Sequence, residues 1–202
     1  MAITSEMVKS LREKTGAGVL DCKRALDKCL GDMDKAIALL REQGLAVAAK
    51  KATRVAKDGL IEAYVHPGAK VASLVELDCE TDFVARTPDF KNLAHDLAMQ
   101  VAATNPLYVS AEDVPAAVIE AKKDVWRTEL ADQNKPPQVV ESIIQGKLSK
   151  FYEQACLMQQ PFIKDESVKV GDLVTQLIAK IGENIVVRRF ARFAIGEETP
   201  EE

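Results

Sequence analysis

The chain has 202 residues, 47% of them apolar and 29% charged, enough to bury an ordinary core in one or two small domains. Its 27 basic and 31 acidic residues leave a net charge of −4, so no global field favours nucleic acid or an anionic lipid surface. No apolar run approaches the roughly 20 residues of a membrane span, and Glu6 and Glu13 stand where a signal or transit peptide would avoid acids, so the expected location is the cytoplasm.

Residues 4–15 open with Thr4 as N-cap and place Met7, Val8 and Leu11 on one helical face, ending at Gly16. After Gly16-Ala17-Gly18, a second helix carries Val19, Cys22, Leu26 and Cys29 at the spacing of a buried stripe and stops at Gly31. Asp32 then caps a third helix with Met33, Ala36, Ile37 and Leu40 at i, i+3, i+4 and i+7. A three-helix module over residues 1–52 is the expectation. Leu20 falls one residue out of phase with the second helix's stripe. It either widens the core face or forms, with Val19 and a neighbouring Arg12, a small apolar patch with a basic rim, and periodicity alone does not separate the two.

From Gly44 the chain reads LAVAAKKATRVAKDG, a helical linker whose Lys50, Lys51, Arg54 and Lys57 form a solvated face. No aromatic or base-reading partner stands nearby, so direct nucleic-acid binding is not expected. The period then changes to two. Residues 60–66 and 70–79 read as strands joined by His66-Pro67-Gly68-Ala69, with Val71, Val75, Leu77 and Cys79 on one face.

The stretch that follows, CETDFVARTP from Cys79 to Pro88, reads as a short tethered loop between a buried strand and a capped helix. Thr87 is the N-cap of that helix and Pro88 its first residue. The loop sets Phe83 and Val84 directly after the acid Asp82, an apolar wedge beside a charge that suits insertion into a partner. The competing reading makes Asp82 the cap of a helical turn and folds Phe83 under the next helix as a staple.

Beyond Pro88, Phe90, Leu93, Ala94, Leu97 and Val101 form a sheet-covering helix face that ends near Asn105-Pro106. Ser110 opens further helix, and residues 115–132 and 137–155 read as a helical hairpin packed through Trp126, Val140, Ile144 and Phe151. Gln159-Gln160-Pro161-Phe162 breaks it. Residues 170–181 form another helix before Gly182, and Asn184–Ile195 a last strand that alternates Ile185, Val187, Ala191, Phe193 and Ile195 with Val186, Arg188, Phe190 and Arg192. The fold class is therefore α+β: a core over residues 53–196 of about three antiparallel strands covered by helices, with the helical hairpin at 111–156 and a disordered tail at 197–202.

Catalytic chemistry finds little support. Cys22, Cys29, Cys79 and Cys156 lack C-x-x-C pairing and read as reduced, buried residues, so neither metal nor cofactor is expected. A Cys79 nucleophile near Glu80 and Asp82 would have only His66 and His95 as bases, in no recognisable constellation. There is no G-x-x-x-x-G-K-[ST] loop, so the chain is not itself a GTPase. An RNA-binding module would have to use Lys50–Lys57 with Arg188, Arg189 and Arg192.

Four segments in order, LREKTGAGVLDCKRAL, ETDFVAR, KFYEQACLMQQPFIKD and IGENIVVRRFARF, resemble the elongation factor Ts family of bacterial and organellar translation. The resemblance implies a ubiquitin-associated-like N-terminal module, no enzymatic activity, and release of GDP from the GTPase elongation factor Tu. It matches Thr81, Asp82, Phe83 and Val84 to the family's Mg²⁺-dislocating motif and Arg12, Val19 and Leu20 to its N-terminal contact with the GTPase. The chain resembles the family's short form, without an additional C-terminal helical module, and homodimer formation is the hypothesis for supplying the missing surface.

Overall fold

Local side-chain caps decide where the first helices begin. In this computed structural model, which describes residues 3–131 and 135–197, Thr4 Oγ1 accepts the Met7 N–H at 3.2 Å and Asp32 Oδ1 accepts the Lys35 N–H at 3.0 Å. The helices so opened are α1 (Ser5–Thr15) and α3 (Met33–Lys51), with α2 (Val19–Lys28) between them. Strands β1 (Asp58–Val65) and β2 (Val71–Cys79) follow, then the one-turn helix α4 (Asp82–Ala85) and α5 (Pro88–Thr104). Helices α6 (Ala116–Ala131) and α7 (Pro137–Ala155) form the hairpin, and β3 (Pro161–Phe162), β4 (Asp165–Lys169), α8 (Val170–Ile181) and β5 (Ile185–Ala194) complete the chain. The class is α+β, with a three-stranded antiparallel sheet in the order β1-β2-β5. The expected disordered tail lies outside the described residues from 198 onward, as does Asn134 in the hairpin loop.

The chain divides into two compact units. The first comprises Met1–Glu62, Val75–His95 and Asp172–Arg188, the second Ala63–Leu74, Asp96–Gly171 and Arg189–Glu202.

In the first unit, Leu11, Cys22, Ala25, Leu26 and Ala36 form the core of the three N-terminal helices, with Met7, Val8, Ile37 and Leu40 packed against it. Val19 does not join this core: it is 53% exposed, because Cys22, Ala25 and Leu26 complete the buried stripe of α2 a turn later. Helix α3 runs unbroken through Gly44 to Lys51, so the expected helical linker is helical only in its first half, and residues 52–57 lead without helix into β1. Arg41 of α3 is paired with Asp172 at the start of α8, and Gly44 is buried. The β2 residues Val75, Leu77 and Cys79 are buried, as are Phe90, Leu93 and Ala94 of α5, Val174, Leu177 and Ile178 of α8, and Ile185 and Val187 of β5. Strand β1 comes very close to β2 at Gly59, whose φ is +148° and where a Cβ would lie 2.2 Å from the Leu77 carbonyl oxygen; only glycine fits there.

In the second unit, the Ser73 hydroxyl donates to the Ala98 carbonyl at 2.6 Å, tying β2 to α5. Gln100, fully buried, donates to Gln160 Oε1 and to the Pro161 carbonyl, both at 3.1 Å, and accepts the Ile163 N–H at 2.9 Å. These bonds secure the short β3–β4 hairpin, an element absent from the sequence expectation. The helical hairpin closes through Lys147 and Glu129 at 2.5 Å, with the Lys122 ammonium 4.4 Å from the centre of the Phe151 ring. Along β5 the expected alternation holds only at its start. Arg188 and Arg189 are both exposed, after which Phe190, Arg192 and Ala194 are the half-buried positions while Ala191 and Phe193 face outward.

Candidate functional site

Cys79 ends β2 fully buried, and its thiol donates to the Thr81 carbonyl at 3.1 Å. The chain leaves the sheet at Glu80 and makes the single helical turn α4, where a loop was expected. Thr81 is at the N-cap position with extended backbone (φ −136°, ψ 152°), as at the Thr4 cap (φ −89°, ψ 154°), yet it makes no side-chain cap bond. Val84 and Ala85 are 7% exposed and anchor the turn from below. Phe83 points the other way, 79% exposed. It is not a staple under α5: the cap of α5 is Thr87, whose hydroxyl accepts the Phe90 N–H at 3.3 Å and donates to the Val84 carbonyl at 2.8 Å. The exit of the turn is thus tied to the helix after it.

Asp82 is engaged within the turn, its Oδ2 accepting from Arg86 at 2.6 Å. Both side chains are substantially exposed, so the pair is worth little in water and is readily exchanged for another partner. Of the four residues matched to the motif, Asp82 and Phe83 therefore face outward, Thr81 lies at the surface facing a second loop, and Val84 faces inward.

That second loop joins α8 to β5. Glu183 accepts three hydrogen bonds: from the Glu80 N–H at 3.2 Å and the Thr81 N–H at 3.1 Å through Oε2, and from the Thr81 hydroxyl at 2.7 Å through Oε1. In return Glu80 Oε1 accepts the Asn184 N–H at 2.7 Å, and the Asn184 amide donates to the Arg54 carbonyl at 2.8 Å. Arg54 lies 3.4 Å from Glu80 Oε2. The Asn184 N–H, with Arg54 beside it, holds the Glu80 carboxyl below its ordinary range. No local spacing in the sequence marks Glu183 or Asn184 as a partner of this turn. The only local signal was an acid directly after the glycine that ends a helix.

Arg12, Val19 and Leu20 lie in the same unit. Arg12 is exposed at the end of α1, and Val19 and Leu20 open α2 at 53% and 67% exposure. Leu20 is exposed and so does not widen the core face.

The thiol chemistry of the stretch is unfavourable to nucleophilic attack. Burial pushes the Cys79 thiol up to about 11, leaving it protonated near neutral pH. Among the described residues no group of three or more His, Cys, Asp or Glu side chains could hold a metal ion, and no helix is long and apolar enough to cross a membrane.

A family model described as Elongation factor TS matches residues 22–176. Curated relatives bearing the name Elongation factor Ts align over nearly the whole chain. The one from Herpetosiphon aurantiacus is 58% identical over 97% of this chain and 99% of its own length. Those from Carboxydothermus hydrogenoformans and Thermodesulfovibrio yellowstonii are 56% and 54% identical, covering 96% and 100% of this chain and 90% and 100% of theirs.

Proposed function

The chain belongs to the elongation factor Ts family, and we propose that within translation elongation it acts as a guanine-nucleotide exchange factor, binding the GTPase elongation factor Tu and promoting GDP release by disturbing the partner's Mg²⁺ site. The observation that carries this reading is a phenylalanine 79% exposed at the crest of a turn anchored from beneath and at both ends. A large apolar ring held in water by a firm support is costly unless something covers it.

GDP in a GTPase is held by phosphate contacts and by a Mg²⁺ ion whose octahedral shell tolerates little distortion. In the proposed mechanism Phe83 enters between side chains that flank that ion. Asp82 gives up its exposed pairing with Arg86 and draws on the polar groups that position the ion's waters. Thr81 and Val84 hold the turn while this happens. Burying one Phe contributes roughly 1.5–3 kcal/mol, and each tenfold loss of nucleotide affinity needs about 1.4 kcal/mol, so Phe83 accounts for one or two decades. The rest falls to the metal shell, while Arg12, Val19 and Leu20 hold the partner in register. Coupling of this kind is reciprocal: GDP weakens the factor by as much as the factor weakens GDP.

The protein is proposed to act in the cytoplasm without catalysing a covalent step. The RNA-binding alternative is disfavoured by the pairing of its cations, since Arg54 lies against Glu80 and Arg188 donates to Asp78 at 2.8 Å. Homodimer formation is proposed through the second unit, where Val65, Leu74, Phe193 and Ile195 are all exposed. An antiparallel sheet with an uncovered apolar face is stabilised by packing that face on another layer. Sedimentation as a monomer at working concentration would count against this.

The deciding experiment is stopped-flow release of a fluorescent GDP from elongation factor Tu with and without the protein. Acceleration supports the exchange reading, and an unchanged release rate overturns it. RNA binding that weakens steeply with salt would favour the alternative.

A further inference from the structure

Phe83 stands on a helix of four residues. A helix that short has no stability of its own, because nucleation costs more than one turn returns. Its orientation must come from outside. The usual source at a helix start is the N-cap side chain, and Thr81 occupies that position, but its hydroxyl is turned away and donates to Glu183 at 2.7 Å. The same carboxylate takes the backbone N–H groups of Glu80 and Thr81. Three donors on one carboxylate fix both the backbone direction entering the turn and the rotamer of its first residue. The Thr87 bonds, to the Val84 carbonyl and the Phe90 N–H, tie the turn's exit to its own neighbours in sequence. The Glu183 bonds reach the turn's first residue from 102 residues away.

We propose that Glu183 is a positioning residue for nucleotide release: its carboxylate sets the entry of α4 so that Phe83 is presented in the orientation docking requires. This rests on the exchange reading above. The fold does not hang on the same bond, because the two loops are also joined by the Asn184 N–H to Glu80 and by the Asn184 amide to the Arg54 carbonyl. Loss of Glu183 should therefore loosen the turn and leave the loops together.

The test is stopped-flow release of fluorescent GDP from elongation factor Tu by the full chain, comparing wild type, Glu183→Ala, Glu183→Gln, Phe83→Ala and the double variant Phe83→Ala/Glu183→Ala. Hydrogen bonds to a charged group are strong enough that losing them should slow release at saturating factor about tenfold or more in Glu183→Ala. The half-saturating concentration should move far less. Glu183→Gln keeps a carbonyl acceptor for Thr81 and should fall between; it also serves as the reporting variant if the alanine form does not fold. In the Phe83→Ala background, removing Glu183 should change the rate by less than about twofold, since residues that act through one another are not additive. Additive effects, or a loss confined to melting temperature and half-saturation, would overturn the proposal. If Phe83→Ala slows release and neither Glu183 variant does, this inference fails while the exchange reading stands. A wild-type protein that does not accelerate release removes both.

Discussion

Gly44 of α3 lies so close to Ala179 of α8 that a Cβ added to the glycine would stand 3.6 Å from the alanine Cβ and 3.9 Å from Thr175 Cγ2. Those are ordinary contact distances, so one methyl fits and a larger side chain does not. Gly44→Ala should stabilise the protein by about 0.5–1 kcal/mol, the helix-propensity cost of an interior glycine. Gly44→Leu should destabilise it by about 1–3 kcal/mol through overpacking. Opposite shifts in thermal midpoint would establish the close approach; equal shifts of either sign would mean that the helices do not meet there.

Alkaline pH should destabilise the fold through its thiols. Burial raises Cys79 and Cys156 to about 11 from an ordinary value of 9.0, and raises Cys22 in the same direction. Below pH 9 both folded and unfolded thiols are protonated, and the folded state keeps its full stability. Between 9 and 11 the unfolded thiols ionise while the folded ones do not, so stability falls as pH rises through this window. Urea midpoints should decline from pH 9 upward, and the decline should be shallower in Cys79→Ala/Cys156→Ala than in wild type. Iodoacetamide at pH 8 should modify the half-buried Cys29 first and leave Cys22, Cys79 and Cys156 protected; rapid labelling of Cys79 would revive it as a nucleophile.

Much of this architecture was legible because it is written in neighbouring residues. Thr4, Asp32 and Thr87 each cap a helix through a side-chain bond to a backbone N–H three residues on, and Phe90, Leu93, Ala94, Leu97 and Val101 are all buried as their spacing requires. What escaped is what depends on distant partners. Val19 has the spacing of the core stripe, but at the start of α2 it is 53% exposed. The β3–β4 hairpin has a two-residue first strand, too short to carry an alternation, and is secured instead by Gln100. The change of phase at Arg188–Arg189 reverses a pattern whose residue types continue unchanged. The Glu183 bonds to Thr81 span 102 residues, and no local spacing encodes them. At the proposed docking site Phe83 beside the acid Asp82 could be read from the sequence either as exposed or as a staple, and its 79% exposure decides between them.

Gln100 should be among the least replaceable polar residues of the second unit. It is fully buried and makes bonds through both its amide nitrogen and its carbonyl oxygen, to Gln160, Pro161 and Ile163. Gln100→Leu leaves the Ile163 N–H and the Pro161 carbonyl without these partners, at a cost of about 1–3 kcal/mol for each buried group so stranded. The expected result is a drop in urea midpoint with amide exchange accelerated at Ile163. A neutral substitution would mean that these groups are hydrated in solution.

Leu20 and Phe83 should separate affinity from release. Both are largely exposed, at 67% and 79%, so replacing either with alanine removes little native packing and should leave the thermal midpoint nearly unchanged. Their proposed roles differ: Leu20 contacts the partner in every state, while Phe83 acts where the nucleotide and its metal are being released. An interaction made equally in ground and transition states moves only half-saturation, and one made chiefly in the transition state moves the maximal rate. Leu20→Ala should therefore raise the half-saturating concentration about tenfold, as expected for loss of roughly 1.5 kcal/mol of apolar burial, with the plateau rate of GDP release unchanged. Phe83→Ala should lower that plateau ten- to a hundredfold, the equivalent of burying one phenylalanine, with half-saturation little affected. A large fall in melting temperature for Phe83→Ala, or an exchange of the two kinetic signatures, would assign the residues differently: Phe83 to the core, or Leu20 to the step that opens the nucleotide site.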